Sequence, residues 1–268
     1  MAETTETFQL PLEAAEAYEA RFVPALFTPW AERLVDALNL PAGARVLDVA
    51  CGTGAVARLA ADRVGDSGAV IGLDLNEAML TVARRLRNDV DYRQGDASRL
   101  PFPDEAFDVV TCQAGLMFFP DPEGALRELA RVVTASGTVG IQVWDRRADQ
   151  PAYDPFNEVV ERHAGPDAVS LVNVYFVHGD RSKLEAMLRS AGLAVDEIRT
   201  GSTTMRFASV DELVAIEVQG TPLGALLSED VVRAIVDDAS VALRGFATDD
   251  GALDVPMRGH IVIARAAA

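Results

Sequence analysis

Cysteine, histidine and lysine are all scarce in this chain, and each scarcity excludes something. Two cysteines in 268 residues, Cys51 and Cys112, cannot staple a disulfide scaffold. The three histidines, His163, His178 and His260, lie far apart and supply no close pair of ligands, so no metal site is expected. Lys183 is the single lysine among 24 basic residues, against 41 acidic ones, which leaves a net charge of −17. That average charge repels polyanions, and the densest basic cluster is only Arg84, Arg85 and Arg87. Neither nucleic acid nor an anionic membrane surface is therefore an expected partner. Nowhere do about 18 apolar residues run together, as a membrane-spanning helix would need. The N-terminus has neither the basic flank nor the apolar stretch of a signal peptide, so a cytoplasmic protein is expected.

Apolar residues are plentiful at 49%, enough for a substantial core. At roughly 150 residues per domain the length corresponds to about 1.8 domains, which also fits one large domain with an insertion. From Arg45 to Trp144 short apolar runs (RVLDV, AVIGLD, VDYRQG, FDVVTCQ, GTVGIQVW) alternate with amphipathic stretches, the pattern of a parallel sheet. Asn76 can cap one helix, and Asp121 before Pro122 opens another, with Gly137 releasing the chain into the next strand. Before this core, residues 11–40 read as one or two helices. After it the alternation breaks down into helical stretches near 153–164, 180–191, 209–219 and 228–244, with extended segments at Leu193–Thr200 and Gly259–Arg265. The organisation expected is a helical lid over 1–40, a ligand-binding core over 41–145, and a remainder over 146–268 that completes the sheet around an inserted helical cap, all within one domain.

The chemistry is concentrated in Val46 to Ala57, where a strand runs into a glycine turn and then a helix. Such a turn aims backbone N–H groups and a positive helix end at a ligand. Gly52-x-Gly54-x-x-Ala57 with Asp74 further on also fits a loose dinucleotide fingerprint, so the glycines alone leave a nicotinamide-dependent oxidoreductase open. Two more acids narrow the choice. Asp48, four residues before Gly52, would gain nothing beside a pyrophosphate and would gain from an ammonium group. Asp96, after the third strand, can accept from an exocyclic adenine amine. Carboxylates at three successive strand ends then address an amino-acid end, a ribose and an adenine, which describes S-adenosylmethionine.

DVACGTG, GLDLNEAML, GDASRLPF and FDVVTCQAGLMFFPDPEGALRELARVV together resemble the successive motifs of class I S-adenosylmethionine-dependent methyltransferases. The narrower likeness is to the small-molecule branch that includes the ubiquinone and menaquinone C-methyltransferases. It covers about residues 40–145, with Ala50 where the family has its first glycine and Ala135-Ser136-Gly137 where it has Pro-Gly-Gly. The resemblance implies a Rossmann-like, doubly wound α/β fold with a seven-stranded sheet, mostly parallel and antiparallel in its last strand. It implies that Gly52 and Gly54, with Ala50 and Thr53 in the same turn, hold the methionine part. Asp74 would bind the ribose, Leu75 and Met79 would flank the adenine, Asp96 and the Ala97 N–H would read its edge, and Gln113 would stand near the sulfonium. Tyr18 or Phe27 would close over the cofactor, which would leave as S-adenosylhomocysteine.

No catalytic constellation stands out, and methyl transfer from an activated sulfonium needs little beyond in-line placement and exclusion of water. His178 is the one candidate general base; a turn residue before a helix is the plainer account. Cys51 reads as a small filler of the turn. Phe118, Phe119 and Trp144, at carboxyl ends of the fourth and fifth strands, are candidates for an acceptor pocket and equally for core packing. The Asp/Asn-Pro-Pro-Phe/Tyr signature of methylation at base or amide nitrogen does not follow the fourth strand. The apolar segments Leu171–Val177, Leu213–Val218 and Leu223–Leu227 point instead to a small, mostly apolar acceptor, methylated at oxygen or carbon by a monomer or homodimer. A cyclase or binding protein that keeps the cofactor without methylating is the second alternative.

Overall fold

The computed structural model describes residues 10–219 and 227–267, with the side chains at 170–172 and 219 left aside. A seven-stranded sheet organises the chain in the order β3-β2-β1-β4-β5-β7-β6. The strands are β1 (Arg45–Val49), β2 (Ala69–Asp74), β3 (Asp91–Gln94), β4 (Phe107–Gln113), β5 (Val133–Trp144), β6 (Leu193–Phe207) and β7 (Leu253–Ala266). β3, β2, β1, β4 and β5 pair in parallel, and the last strand is antiparallel. Chain order reverses between β1 and β4, the point at which an open α/β sheet parts its connections and leaves a crevice at the strand ends.

The chain divides into two compact units. Unit 1 comprises Met1–Val143, Asp180–Thr200 and His260–Ala268; unit 2 comprises Trp144–Gly179 and Gly201–Gly259. Residues 146–268 are thus shared between the units, with 180–200 and 260–268 in unit 1.

In unit 1, α5 (Pro122–Val132) and α8 (Arg181–Ser190) cover one face of the sheet through Leu126, Leu129, Leu184 and Leu188, all essentially inaccessible. Each such leucine contributes about 2 kcal/mol by leaving water. The caps at Asp121 and Asn76 are those the sequence announces, and Asp180 is a third. Asp121 accepts from the Gly124 N–H at 2.8 Å, Asp180 from the Ser182 N–H at 3.0 Å, and Asn76 from the Ala78 N–H at 2.8 Å at the start of α4 (Glu77–Leu86). The N-terminal helices α1 (Leu12–Phe22) and α2 (Thr28–Leu38) are joined by a π-helical turn, Val23–Phe27. Leu34 and Leu38 of α2 lie over Gly140 so closely that a Cβ there would stand 2.7 Å from the Leu38 Cδ1. Beside α2 runs α3 (Ala55–Val64), which follows the glycine turn.

Unit 2 holds α6 (Tyr153–Ala164), α7 (Pro166–Asn173), α9 (Val210–Val214) with its π-helical continuation Ala215–Gln219, and α10 (Glu229–Ala242), capped by Ser228. β3 is one residue shorter at each end than VDYRQG, and three strands begin or end well away from expectation. β5 begins at Val133, directly after α5, because β-branched Val132-Val133-Thr134 extends before Gly137 is reached. β6 runs on past Thr200 to Phe207, its Thr203, Met205 and Phe207 buried on alternate positions. β7 starts at Leu253 rather than Gly259, and Pro256 does not break it.

Candidate functional site

The crevice at the β1/β4 switch point is built from unit 1 alone. Its cleft, about 310 Å³, is lined by Tyr18, Phe27, Asp48, Ala50, Cys51, Gly52, Thr53, Ala55, Val56 and Gln113. No basic side chain contributes to the lining. Three successive constraints make the turn. Ala50 and Gly52 take left-handed backbone at φ 55°, and Gly54 at φ 87° is the residue before α3. A Cβ on Gly54 would overlap the Tyr92 hydroxyl, and one on Gly52 would meet the Tyr18 ring at 4.0 Å. Glycine is therefore required at Gly54 by both conformation and space. Ala50 bears the left-handed strain that the family's glycine would avoid.

Asp48 is buried beneath this turn. One carboxylate oxygen accepts from the Ala57 N–H in the first turn of α3 at 3.1 Å, and the other from the Thr111 hydroxyl at 2.8 Å. Burial outweighs these bonds and pushes its carboxyl up to about 7. Asp74, at the end of β2, accepts from the Gly52 N–H and the Asn76 N–H, each at 2.8 Å, and burial raises its carboxyl too. Gly52 thus ties the cleft to the shelf formed by the ends of β2 and β3. On that shelf Leu75 is 44% exposed, Met79 half-buried, Asp96 exposed and Ala97 buried. Asp96 accepts from the Ser98 N–H at 2.8 Å.

The sequence-predicted residues accordingly fall into two sets. Tyr18, Phe27, Asp48, Ala50, Gly52, Thr53 and Gln113 meet around the cleft, with Gly54 at its floor, while Asp74, Leu75, Met79, Asp96 and Ala97 form the shelf. Tyr18 and Phe27 are in ring contact at 5.1 Å, and the Gln113 amide donates to the Phe27 carbonyl at 2.8 Å. Phe118 and Phe119 are half-buried in the turn after β4, and Trp144 is buried at the end of β5, within unit 2. His178 also belongs to unit 2, half-buried beside Gly179, whose Cα packs on the Asp145–Arg146 backbone. Burial raises both cysteine thiols, Cys112 to about 12, so neither is a thiolate nucleophile. Of the apolar segments read as cap, 223–226 fall outside the described residues, as do the side chains of Leu171 and Val172.

Several contributors escaped sequence reasoning. Arg58 donates to the Thr53 carbonyl at 2.7 Å and to Glu19 of α1 at 3.0 Å, latching the N-terminal helix to the glycine turn. Thr111 holds Asp48, and Tyr92 packs under Gly54. Their only sequence signal is proximity to motif residues. Among the described residues no cluster of His, Cys, Asp and Glu suits a metal, and no helix is long and apolar enough to cross a membrane.

The arrangement suits S-adenosylmethionine: a cleft lined by a carboxylate and no cation receives a positive ligand, and two buried polar atoms of its lining are unmet. The Thr53 hydroxyl and the Gln113 Oε1 are buried without a partner. Comparison with known proteins agrees. A methyltransferase domain model matches residues 47–141. The demethylmenaquinone methyltransferase of Lactobacillus johnsonii is 41% identical over 118 residues, 42% of this chain and 48% of that protein. The ubiquinone/menaquinone biosynthesis C-methyltransferase of Cronobacter sakazakii is 34% identical over 180 residues, 61% of this chain and 71% of its own length. The chain thus spans about half of the first relative and over two thirds of the second. A solved [4+2]-cyclase shares the fold at a TM-score of 0.58 and 23% identity, covering 90% of this chain and 82% of that one.

Proposed function

The chain belongs to the class I S-adenosylmethionine-dependent methyltransferases, and we propose that its acceptor is a small, apolar, quinol-type molecule methylated at a ring carbon. The observation that carries this reading is the anionic, cation-free cleft at the β1/β4 switch point in a chain akin to quinone-pathway C-methyltransferases. When bound, S-adenosylmethionine supplies a methyl group on a positively charged sulfur. Asp48 supplies negative charge for an ammonium group, and the Thr53 hydroxyl and turn N–H groups hold the carboxylate end. Asp74, already fixed by two backbone donors, keeps lone pairs for the ribose hydroxyls, since each oxygen is engaged once. Leu75 and Met79 flank the adenine, and Asp96 with the Ala97 N–H reads its edge.

Tyr18 and Phe27 act as the lid of the 1–40 segment. Held by Arg58, Glu19 and Gln113, they exclude water from the reacting centre. A quinol ring carbon beside a hydroxyl is electron-rich, so positioning does most of the work and no strong base is required. Phe118 and Phe119, in the turn after β4, are assigned to the acceptor's apolar surroundings. Acceptor and cofactor are the only partners proposed, with no nucleic acid, for a monomer or homodimer.

The test is transfer of labelled methyl from S-adenosylmethionine to naphthohydroquinone kept reduced, with product analysis by mass spectrometry. Carbon-methylated product is expected. Tight cofactor binding with no transfer to any quinol or phenol would favour the non-methylating alternative, as the fold of the cyclase allows. A response to NAD(P) and none to S-adenosylhomocysteine would favour an oxidoreductase.

A further inference from the structure

Beside the cleft lies a buried amide that folding alone does not explain. Gln142, in β5, is fully inaccessible, and neither its Nε2 nor its Oε1 has a partner. Its register partner on β4 is Gln113, whose Oε1 is likewise buried and unpartnered. Cross-strand neighbours in register present their side chains on one face. That face is the one α2 covers, since Leu34 and Leu38 lie over Gly140, two residues before Gln142, and Gln113 donates to the Phe27 carbonyl. Three unmet amide atoms therefore belong to register partners at the carboxyl ends of β4 and β5, and Gln113 lines the cleft.

Unmet buried polar atoms destabilise a fold, and a leucine or methionine at 142 would remove that burden at similar volume. What they have in common is a chemistry: one amide nitrogen to donate and two carbonyl oxygens to accept. An ether or a quinone carbonyl can only accept, so it leaves the oxygens unmet, and an ammonium group can only donate. A hydroxyl does both. We propose that Gln142, with the Gln113 Oε1, is the recognition site for a hydroxyl group of the acceptor, so that the enzyme selects the reduced, quinol form over its ethers. Gln142 thereby becomes a specificity-determining residue, a step that rests on the quinol-acceptor reading above.

The experiment uses the full chain saturated with S-adenosylhomocysteine and measures calorimetrically the affinity for naphthohydroquinone, kept reduced, and for its dimethyl ether. The wild type is expected to prefer the diol by roughly tenfold or more, because an analogue lacking the donor leaves the site's polar atoms unpaired. Gln142→Met is expected to bring the two affinities to within about twofold, leave S-adenosylhomocysteine affinity unchanged, and unfold at no lower temperature. Equal affinity of the wild type for diol and ether, which needs no variant, overturns the inference. So does an undiminished preference in Gln142→Met, or a Gln142→Met that unfolds early or does not fold, since the two amides would then be a structural ladder. Binding of neither compound to the wild type overturns the quinol reading and this inference with it. Methyl transfer to the diol alongside equal affinities overturns the inference alone.

Discussion

Each unit buries a carboxyl group that burial pushes up to about 7, yet the two are held in different ways. In unit 1, Asp48 has a donor on each oxygen, the Ala57 N–H and the Thr111 hydroxyl, both from elements fixed by the sheet. In unit 2, Glu217 sits on the π-helical turn after α9 and accepts from the Tyr153 hydroxyl at 2.8 Å. Four residues along α6 from Tyr153, on the same face, Asn157 leaves its own carbonyl oxygen unmet. The first acid is a fully engaged brace between strand and helix. The second belongs to a sparser polar network, in a unit whose helices obey no strict alternation. Equal proton affinity therefore does not imply an equal role: burial sets the proton affinity, and the donors around the group set how rigid it is.

Titration gives the sharpest way to break that comparison. A carboxyl raised from its ordinary value of 3.8 or 4.5 to about 7 adds stability that is fully present below the lower value and is lost as pH rises through 7. Exposed acids such as Asp108, Asp196 and Asp250 are held low by arginine or hydroxyl partners, so their effect appears only below pH of about 4. Between pH of about 5 and 7.5 the two buried acids thus act in one direction, on the order of 2 kcal/mol each. Asp48→Asn should remove its share of the slope in urea unfolding while keeping both partners, because its amide can donate to Thr111, whose hydroxyl lies 3.4 Å from the Leu47 carbonyl. Glu217→Gln should flatten the slope as well. It should also lower the whole curve by about 1–2 kcal/mol, since its new amide N–H groups find no acceptor among the described contacts. Equal offsets in the two variants would erase the distinction.

A second test sharpens the unit 1 side. Asp74→Ala should weaken S-adenosylhomocysteine binding by about 2–3 kcal/mol, or roughly 30- to 150-fold, as a lost charge-assisted pair. Isothermal titration measures this. Lost stability with unchanged affinity would make Asp74 only the acceptor for the Gly52 and Asn76 N–H groups, and the ribose site would have to be placed elsewhere.

Sequence legibility follows the same divide. The glycine turn and the caps at Asn76 and Asp121 were readable because each depends on neighbours within four residues, and the acids because they stand at strand ends. Alternation likewise announced β1, β2 and β4 with their observed ends. What could not be read depends on distant partners or on conformations with no local code. The π-helical turns at Val23–Phe27 and Ala215–Gln219 belong here, as do Arg58 reaching Glu19 and the run of β7 through Pro256. Gln142 was hidden for a different reason. Inside GTVGIQVW it counts merely as one polar residue in an apolar strand, and only the register opposite Gln113 makes it conspicuous.

The smallest expected effect concerns the place where this chain departs from its family. Ala50 holds φ 55°, and left-handed backbone costs an alanine about 1–2 kcal/mol. Glycine would relieve that strain but add about 0.5–1 kcal/mol of unfolded-chain entropy, so Ala50→Gly should change stability by less than about 1 kcal/mol in thermal unfolding. The alanine methyl is nonetheless fitted to its surroundings, because a Cβ on Gly115 would stand 2.7 Å from the Ala50 Cβ and 3.1 Å from the Cys112 Sγ. Gly115→Ala alone should therefore cost about 1–3 kcal/mol by overpacking, and Ala50→Gly should recover part of it. A coupling of about 1 kcal/mol in the double-mutant cycle is expected. Strict additivity would mean that the two turns, after β1 and after β4, adjust independently. The rigidity attributed to the unit 1 crevice would then lie in the Asp48 brace alone.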